Sequence, residues 1–164
     1  MASITDLRGL YLHGLKDMYY AEQQAQKTLQ SMAQKATSSA LKEQLQAHVD
    51  GSKTHIERLN RVFEIAGEKA EGVTCEAMDG ILKEAKHLMD EVEDAETRDA
   101  AIVFSAQAID HYEITRYGSL ATFAEELGMQ EAADLLGDSL GDEEDADERL
   151  SMLAEDRLNA KATS

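Results

Sequence analysis

Apolar residues recur every three to four positions along four long stretches of the chain, a spacing typical of amphipathic helices. These stretches predict helices over residues 5–36, 39–67, 96–128 and 129–160. A shorter stretch with the same spacing predicts an additional helix over residues 75–92. Gly67 stands where the second long helix is expected to end, as glycine often does at helix C-termini.

The lengths of the connections predict how these helices are arranged. Short turns after the first and third long helices favour two antiparallel hairpins. The long middle connection can run back along the bundle before the third long helix begins. The sequence therefore predicts an all-α fold, a ferritin-like four-helix bundle with one long crossover that contains the additional short helix. No low-complexity tract interrupts residues 1–164, so we expect a single domain.

Composition and charge narrow the class of protein. The chain has no proline and only ten glycines, which favours long helices over a fold with many tight turns. Acidic residues outnumber basic ones 33 to 16, and the formal charge of −17 disfavours nucleic acids and anionic membranes as partners. The lone Cys75 excludes an internal disulfide, and the N-terminal residues show no leader pattern. These features predict a cytoplasmic protein whose charge attracts cations.

Several charged or ionisable residues fall on the apolar stripes, where the periodicity predicts the interior of the bundle. An isolated acid is costly to bury unless it is paired, protonated or bound to a cation. Such a set can therefore mark a metal site. The candidate metal ligands are Glu22, His48, Asp110, Glu113, Glu143 and Asp147.

Counting outward from each predicted turn places these residues at matching heights, because a helix rises about 1.5 Å per residue. Glu22 lies 15 residues before Thr37 and His48 lies 11 after it, while Glu113 and Glu143 lie 15 residues either side of Gly128. Two levels of carboxylates with a histidine nearby are typical of a dinuclear carboxylate site. Oxygen-rich ligands suit iron or manganese. A further pair of acids lies about one turn away: Asp110 and Asp147.

Alternative interpretations remain for the individual residues. A single acid on a helical stripe usually means that the assumed register is wrong by one position. The metal hypothesis therefore depends on the six candidate residues taken together. His55 and His87 have no partner in the pattern, and we expect them to be surface or packing residues. Tyr19 and Tyr20 lie close to Glu22 and could either donate hydrogen bonds to the carboxylates or fill the core. No pattern assigns a catalytic residue.

Seven short segments carry a resemblance to a known family. They are Asp17–Glu22, Ala47–Asp50, Cys75–Ile81, Arg98–Ile102, Gln107–Ile114, Tyr117–Leu120 and Glu143–Asp147. In this order they resemble the bacterial YciE/YciF family, more closely its YciF branch. The resemblance extends over about residues 4–154.

The resemblance implies a ferritin-like bundle that is usually dimeric and associated with bacterial stress. It places the family's inward acids at Glu22, Asp110, Glu113 and Glu143, with Asp147 following. One departure affects the site. The family's second helix typically has a glutamate three residues after the histidine, whereas this chain has Gly51 after His48. The neighbouring Asp50 lies about 100° around the helix and cannot replace it. The site could therefore be mononuclear, asymmetric, weak or lost.

These observations leave two functional hypotheses. The first is a ferritin-like metal-binding protein of the bacterial stress response, with an iron or manganese site that is redox-active toward oxygen or peroxide. The second is a non-catalytic structural or interaction protein that has kept the bundle but has a weakened or lost metal site. In both cases we expect a homodimer, as the resemblance implies. We do not expect a large storage cage, because the sequence shows no pattern that would assemble one.

Overall fold

Five helices carry the fold in the computed structural model, which describes residues 3–164. They are α1 (Leu7–Lys35), α2 (Ser39–Ala66), α3 (Glu76–Glu91), α4 (Ala95–Glu126) and α5 (Gln130–Leu153). A π-helical segment, Ala154–Leu158, extends α5, and a last helical turn, α6, covers Asn159–Lys161. The described residues contain no strand. The all-α prediction is therefore confirmed.

Local chemistry sets the helix ends. The Asp6 carboxylate accepts a hydrogen bond of 2.7 Å from the Gly9 N–H at the start of α1. Asp94 does the same for the Thr97 N–H at the start of α4, also at 2.7 Å. Gly67 (φ 72°) follows α2 and Gly128 (φ 75°) follows α4, both in the left-handed region that favours glycine. These caps explain why the predicted boundaries lie close to the observed ones.

The four long helices form a bundle in which each packs against two neighbours. α1 packs against α2 and α4, and α5 packs against the same two helices, while α3 lies against α1 and α4. The connection from α2 to α4, which contains α3, is the one long crossover. The predicted four-helix bundle with an additional short helix is thus confirmed. Within residues 3–164, no helix combines the length and apolar character that a membrane crossing requires.

Backbone contacts hold the crossover against α1. The Val73 N–H donates a hydrogen bond of 3.1 Å to the Lys16 carbonyl oxygen. Gly72 lies so close to α1 that an added Cβ would be 3.0 Å from Cβ of Tyr20. The Tyr20 hydroxyl then donates a hydrogen bond of 2.9 Å to Asp79 on α3. Tyr20 therefore anchors the crossover.

A buried carboxylate joins the two hairpins at one end of the bundle. Asp99 on α4 accepts hydrogen bonds of 2.8 Å from the N–H groups of Thr37 and Ser38 in the α1–α2 turn. The Thr37 hydroxyl donates a third bond, of 2.7 Å. Since Asp99 is only 3% exposed, these bonds are shielded from water and fix the height of the first hairpin relative to α4.

Candidate metal centre

Six buried ionisable side chains meet inside the bundle, contributed by all four long helices. We call this group the His/carboxylate cluster. Its members are at most 7% exposed, although such residues are rarely buried without a partner. They are Glu22 on α1, His48 and His55 on α2, Asp110 and Glu113 on α4, and Glu143 on α5.

Glu143 lies at the centre of the cluster. Its Oε2 is 3.2 Å from Nε2 of His48, and its Oε1 is 3.2 Å from Nδ1 of His55. The same Nδ1 of His55 lies 2.9 Å from Oε1 of Glu22. On the other side, Nε2 of His48 lies 3.5 Å from Oδ1 of Asp110.

Two sets of three residues bring their ligand atoms within 4.8 Å of one another. The first is Glu22, His55 and Glu143, and the second is His48, Glu113 and Glu143. Glu143 belongs to both. Nitrogen and carboxylate oxygen atoms at this spacing can surround a cation, and a shared carboxylate can bridge two of them.

Helical spacing explains how the sequence assembles the cluster. His48 and His55 are seven residues apart on α2, so two turns place them on one face. Asp110, Glu113 and Tyr117 are spaced by three and four residues on α4 and share a face in the same way.

Five carboxylate oxygens of the cluster are buried without a hydrogen-bond partner. They are Oε2 of Glu22 and both oxygens of Asp110 and of Glu113. An unpartnered polar atom in a protein interior is costly, and ionised carboxylates are the most costly of all. These oxygens therefore require protons or a cation.

Charge pairing controls the ionisation of the central residues. Burial alone would lower the pKa of His55, but its hydrogen bonds to Glu143 and Glu22 outweigh this and raise it to about 10. Burial would also lower the pKa of His48, but the contact with Glu143 outweighs this and raises it to about 9. Burial would raise the pKa of Glu143, yet hydrogen bonds from the two histidines lower it to about 2. In the absence of metal, these shifts favour an ionised Glu143 between two protonated imidazole rings.

The pKa values of the two acids of α4, Asp110 and Glu113, shift in the opposite direction to that of Glu143. Burial raises the pKa of Asp110 well above its usual value, although the positive charge of His48 partly counteracts this. Burial, reinforced by the negative charges of Glu22 and Glu143, does the same for Glu113. Both shifts favour the protonated carboxyl. A cation that displaced these protons would convert Asp110 and Glu113 into ligands.

A buried tyrosine that sequence reasoning missed fixes the position of Glu22. The hydroxyl of Tyr117 donates a hydrogen bond of 2.6 Å to Oε1 of Glu22, and the Tyr117 ring meets that of His55 edge to face at 5.8 Å. Its position four residues after Glu113 was the signal that could have identified it. Of the two tyrosines considered from the sequence, Tyr19 packs edge to face on Phe63 in the core, and Tyr20 binds Asp79.

The structure corrects the expectation for His55. A surface or simple packing role is wrong, because His55 is 1% exposed and lies 2.9 Å from Glu22. Its spacing of seven residues from His48 was the missed signal. His87, by contrast, is exposed as expected.

Asp147 does not join the cluster, although the apolar stripe placed it inward. Its Oδ2 lies 3.0 Å from Nε2 of the exposed His111, and its Oδ1 accepts a bond of 3.1 Å from Gln107. The stripe of α5 continues from Glu143 to the buried Leu150, and Asp147 lies at its edge. The remaining five predicted residues all lie in the cluster: Glu22, His48, Asp110, Glu113 and Glu143.

A pocket of about 570 Å³ between α2 and α5 reaches the cluster, and Gly51 forms part of its wall. A Cβ added to Gly51 would meet no atom within 4 Å. The adjacent Asp50 points away from the cluster, since it forms an exposed ion pair of 2.8 Å with Lys53. Ser52 is buried with an unpartnered hydroxyl. No carboxylate therefore comes from residues 50–52.

The fold and the cluster together define a four-helix-bundle protein with a buried centre of histidines and carboxylates. Residues 6–163 match the family described as a domain of unknown function, DUF892, and the chain belongs to this family. It is 37% identical over 157 residues to protein YciF of Escherichia coli K12, a match that covers 95% of each protein. The resemblance noted from the sequence is thereby confirmed.

Solved structures of relatives have the same fold. The E. coli stress protein YciF superposes with a TM-score of 0.91 at 36% identity, covering 95% of this chain and 99% of that one. YcfI of Rhodopseudomonas palustris, for which a structural role has been suggested, superposes with a TM-score of 0.89 at 44% identity. The match covers 91% of this chain and 95% of that one. A Xanthomonas campestris protein superposes with a TM-score of 0.75, covering 94% of this chain and 95% of that one. At 22% identity, this match supports the fold alone.

Proposed function

We propose that this protein binds iron or manganese in the His/carboxylate cluster. The observation that carries the proposal is the set of five buried, unpartnered carboxylate oxygens on Glu22, Asp110 and Glu113, within a few ångströms of two histidines. Cations bound in the cluster would satisfy these oxygens, and oxygen-rich ligands favour iron or manganese over copper.

The donor set divides between two ions. Glu22, His55 and Glu143 would hold one ion, and His48, Glu113 and Glu143 the other, with Glu143 shared. Asp110 lies beside His48 and can add a ligand to the second ion. Asp147 is left out of this ligand set, since its carboxylate is occupied by His111 and Gln107 at the surface.

A bound iron or manganese pair would supply one-electron redox chemistry toward oxygen or peroxide. The protein's own contribution is to orient and protect the ligands. Tyr117 holds Oε1 of Glu22, which leaves Oε2 free to bind a cation. Buried apolar side chains such as Met18 and Ile109 belong to the core of the bundle.

The biological setting that we propose is the bacterial stress response, in the cytoplasm. The support is the relationship to E. coli YciF, which is a stress protein. We further propose a homodimer, because large apolar side chains such as Phe104 (67% exposed) and Met152 (57% exposed) remain at the surface. We propose no nucleic-acid or membrane partner, because the formal charge of −17 repels anionic phosphates and headgroups, and no storage cage. A solution molar mass of two chains supports this assembly; the mass of one chain or of a large cage contradicts it.

A second function, a non-catalytic structural protein, is favoured by a different observation. His48 and His55 can neutralise Glu143 and Glu22 without any metal, so the cluster could be a proton-filled structural core. The structural role suggested for the R. palustris relative supports the same interpretation.

Metal content separates the two functions. The protein is purified without added metal, its metal is measured by plasma mass spectrometry, and the measurement is repeated after anaerobic Fe(II) titration. The metal-binding function predicts about two ions per chain and Fe(II) oxidation faster than in buffer. One weakly held ion would restrict the function to a mononuclear site. No bound ion would contradict it and favour the structural protein.

A further inference from the structure

The pocket between α2 and α5, defined above by its volume and by Gly51, connects the cluster to the protein surface. Three of its lining residues, His48, His55 and Glu143, belong to the cluster. Its other lining residues include apolar side chains such as Leu45, Ala146 and Leu150. Two further pockets of the described residues contain no member of the cluster.

Gly51 leaves this passage wide. It lies in the interior of α2, where glycine costs about 1 kcal/mol relative to alanine. Its backbone has no positive φ and no neighbour within 4 Å of an added Cβ, so neither conformation nor packing requires glycine. A larger side chain at this position would extend into the space beside the two histidines. The main structural effect of Gly51 is therefore the open passage.

Charged residues surround the outer part of the pocket with an excess of negative charge. Glu43 and Asp145 are exposed there, and Arg149 is the one arginine or lysine among the lining residues. Asp142 is half-exposed and lies beside the cluster: its Oδ2 is 2.6 Å from Nη1 of Arg58 and 3.2 Å from Nε2 of His55. Carboxylates thus extend from the rim to the cluster itself.

An unpartnered polar atom lies along the same wall. His48 lines the pocket at 7% exposure, and its Nδ1 is buried without a hydrogen-bond partner. The pocket wall thus combines apolar side chains with the ring of His48.

We propose that this pocket is the route by which divalent cations reach the His/carboxylate cluster. Glu43 and Asp145 attract the ion, and the gap at Gly51 admits it to His55 and Glu143. Acidic clefts concentrate cations and accelerate their association. This inference rests on the metal-binding function proposed above and adds the path and the residues that control its rate.

The test is the rate of metal association, measured anaerobically by stopped-flow mixing of the whole protein with Mn(II) or Fe(II). The Gly51→Leu variant places a side chain in the passage while improving the helix propensity of α2. We expect association to slow by roughly tenfold or more, with the number of ions bound at equilibrium unchanged. Gly80→Leu is the matched control, because Gly80 is an exposed helical glycine of α3 with equally open surroundings.

Charge variants test the route by the sign of their effects. Glu43→Gln and Asp145→Asn should each slow association by roughly two- to fivefold at low ionic strength, while Arg149→Gln should accelerate it by a similar factor. High salt should reduce all three differences. Unchanged rates in these variants and in Gly51→Leu, with normal binding at equilibrium, would overturn the route and leave the metal site standing. A wild-type protein that binds no metal would overturn both.

Discussion

The hydroxyl of Tyr117 lies 2.6 Å from Oε1 of Glu22, and both side chains are fully buried. This contact uses one carboxylate oxygen and leaves Oε2 of Glu22 without a partner. The pair therefore fixes the orientation of a candidate ligand while keeping its second oxygen available. A group that orients a metal ligand in this way is typical of binding sites in which the ligand geometry is set before the metal arrives.

Tyr117→Phe should weaken metal binding by about tenfold or more and destabilise the metal-free protein by about 1–2 kcal/mol, because Glu22 loses one buried hydrogen-bond donor and keeps only His55. Isothermal titration with Mn(II) and urea unfolding measure the two effects. Tyr20→Phe is the matched control, since the Tyr20 hydroxyl binds Asp79 outside the cluster. Equal metal affinity in the two variants would contradict the role given to Tyr117.

Glu113→Ala should reduce bound metal from about two ions per chain to one or fewer, because Glu113 belongs to one of the two ligand sets. Asp147→Ala should leave the metal content unchanged, since Asp147 binds His111 and Gln107 instead. Plasma mass spectrometry after dialysis against Mn(II) compares the variants. A normal metal content in Glu113→Ala would remove this residue from the site.

The metal-free protein should lose stability as the pH rises from neutral toward 10. Folding raises the pKa of His48 from 6.5 to about 9 and that of His55 from 6.5 to about 10. A raised pKa means that the folded state binds protons more tightly, so this stabilisation is complete below pH 6.5 and disappears as the pH passes through the folded values.

Urea unfolding in the presence of a chelator measures this pH dependence. The His55→Gln variant should show a flatter profile between pH 7 and pH 10, whereas His87→Gln, which changes an exposed histidine, should keep the wild-type slope. A wild-type midpoint that is constant or rises over this range would show that the histidines are not held as imidazolium ions.

Gly51→Ala should stabilise the protein by about 1 kcal/mol, because alanine favours the helix and its Cβ meets nothing within 4 Å. Gly67→Ala, at a φ of 72°, should instead destabilise by about 1 kcal/mol. Thermal unfolding of the two variants checks these opposite signs. A loss of stability in Gly51→Ala would mean that the space beside Gly51 is filled in solution.

Much of the fold could be predicted from the sequence because local signals agree with the tertiary arrangement. Stripe periodicity and turn residues such as Gly67 and Gly128 gave each of the first four helices to within two residues at either end. The π-helical segment after Leu153 was not predicted, since the spacing of apolar residues does not distinguish a π-helical turn from an α-helical one. The hydrogen bonds by which Asp99 anchors the α1–α2 turn were not predicted either. Asp99 accepts them from Ser38 and Thr37, which are 61 and 62 positions earlier in the sequence.

The cluster was predictable where a polar residue interrupted an apolar stripe, as at Glu22 and Glu113. His55 and Tyr117 were missed because histidine and tyrosine pack well in cores, so their presence on a stripe signals nothing by itself. Asp147 was wrongly placed because a residue at the edge of a stripe turns inward or outward according to its neighbours. Here the contact with His111 holds it outward.

The most direct test of the central claim is to locate the ions in crystals of the protein prepared with Mn(II), by anomalous scattering. We predict two anomalous peaks inside the bundle, both within bonding distance of Glu143. One should lie beside Glu22 and His55 and the other beside His48 and Glu113. Peaks confined to the protein surface, or none at all, would contradict a metal centre and leave a proton-filled structural core.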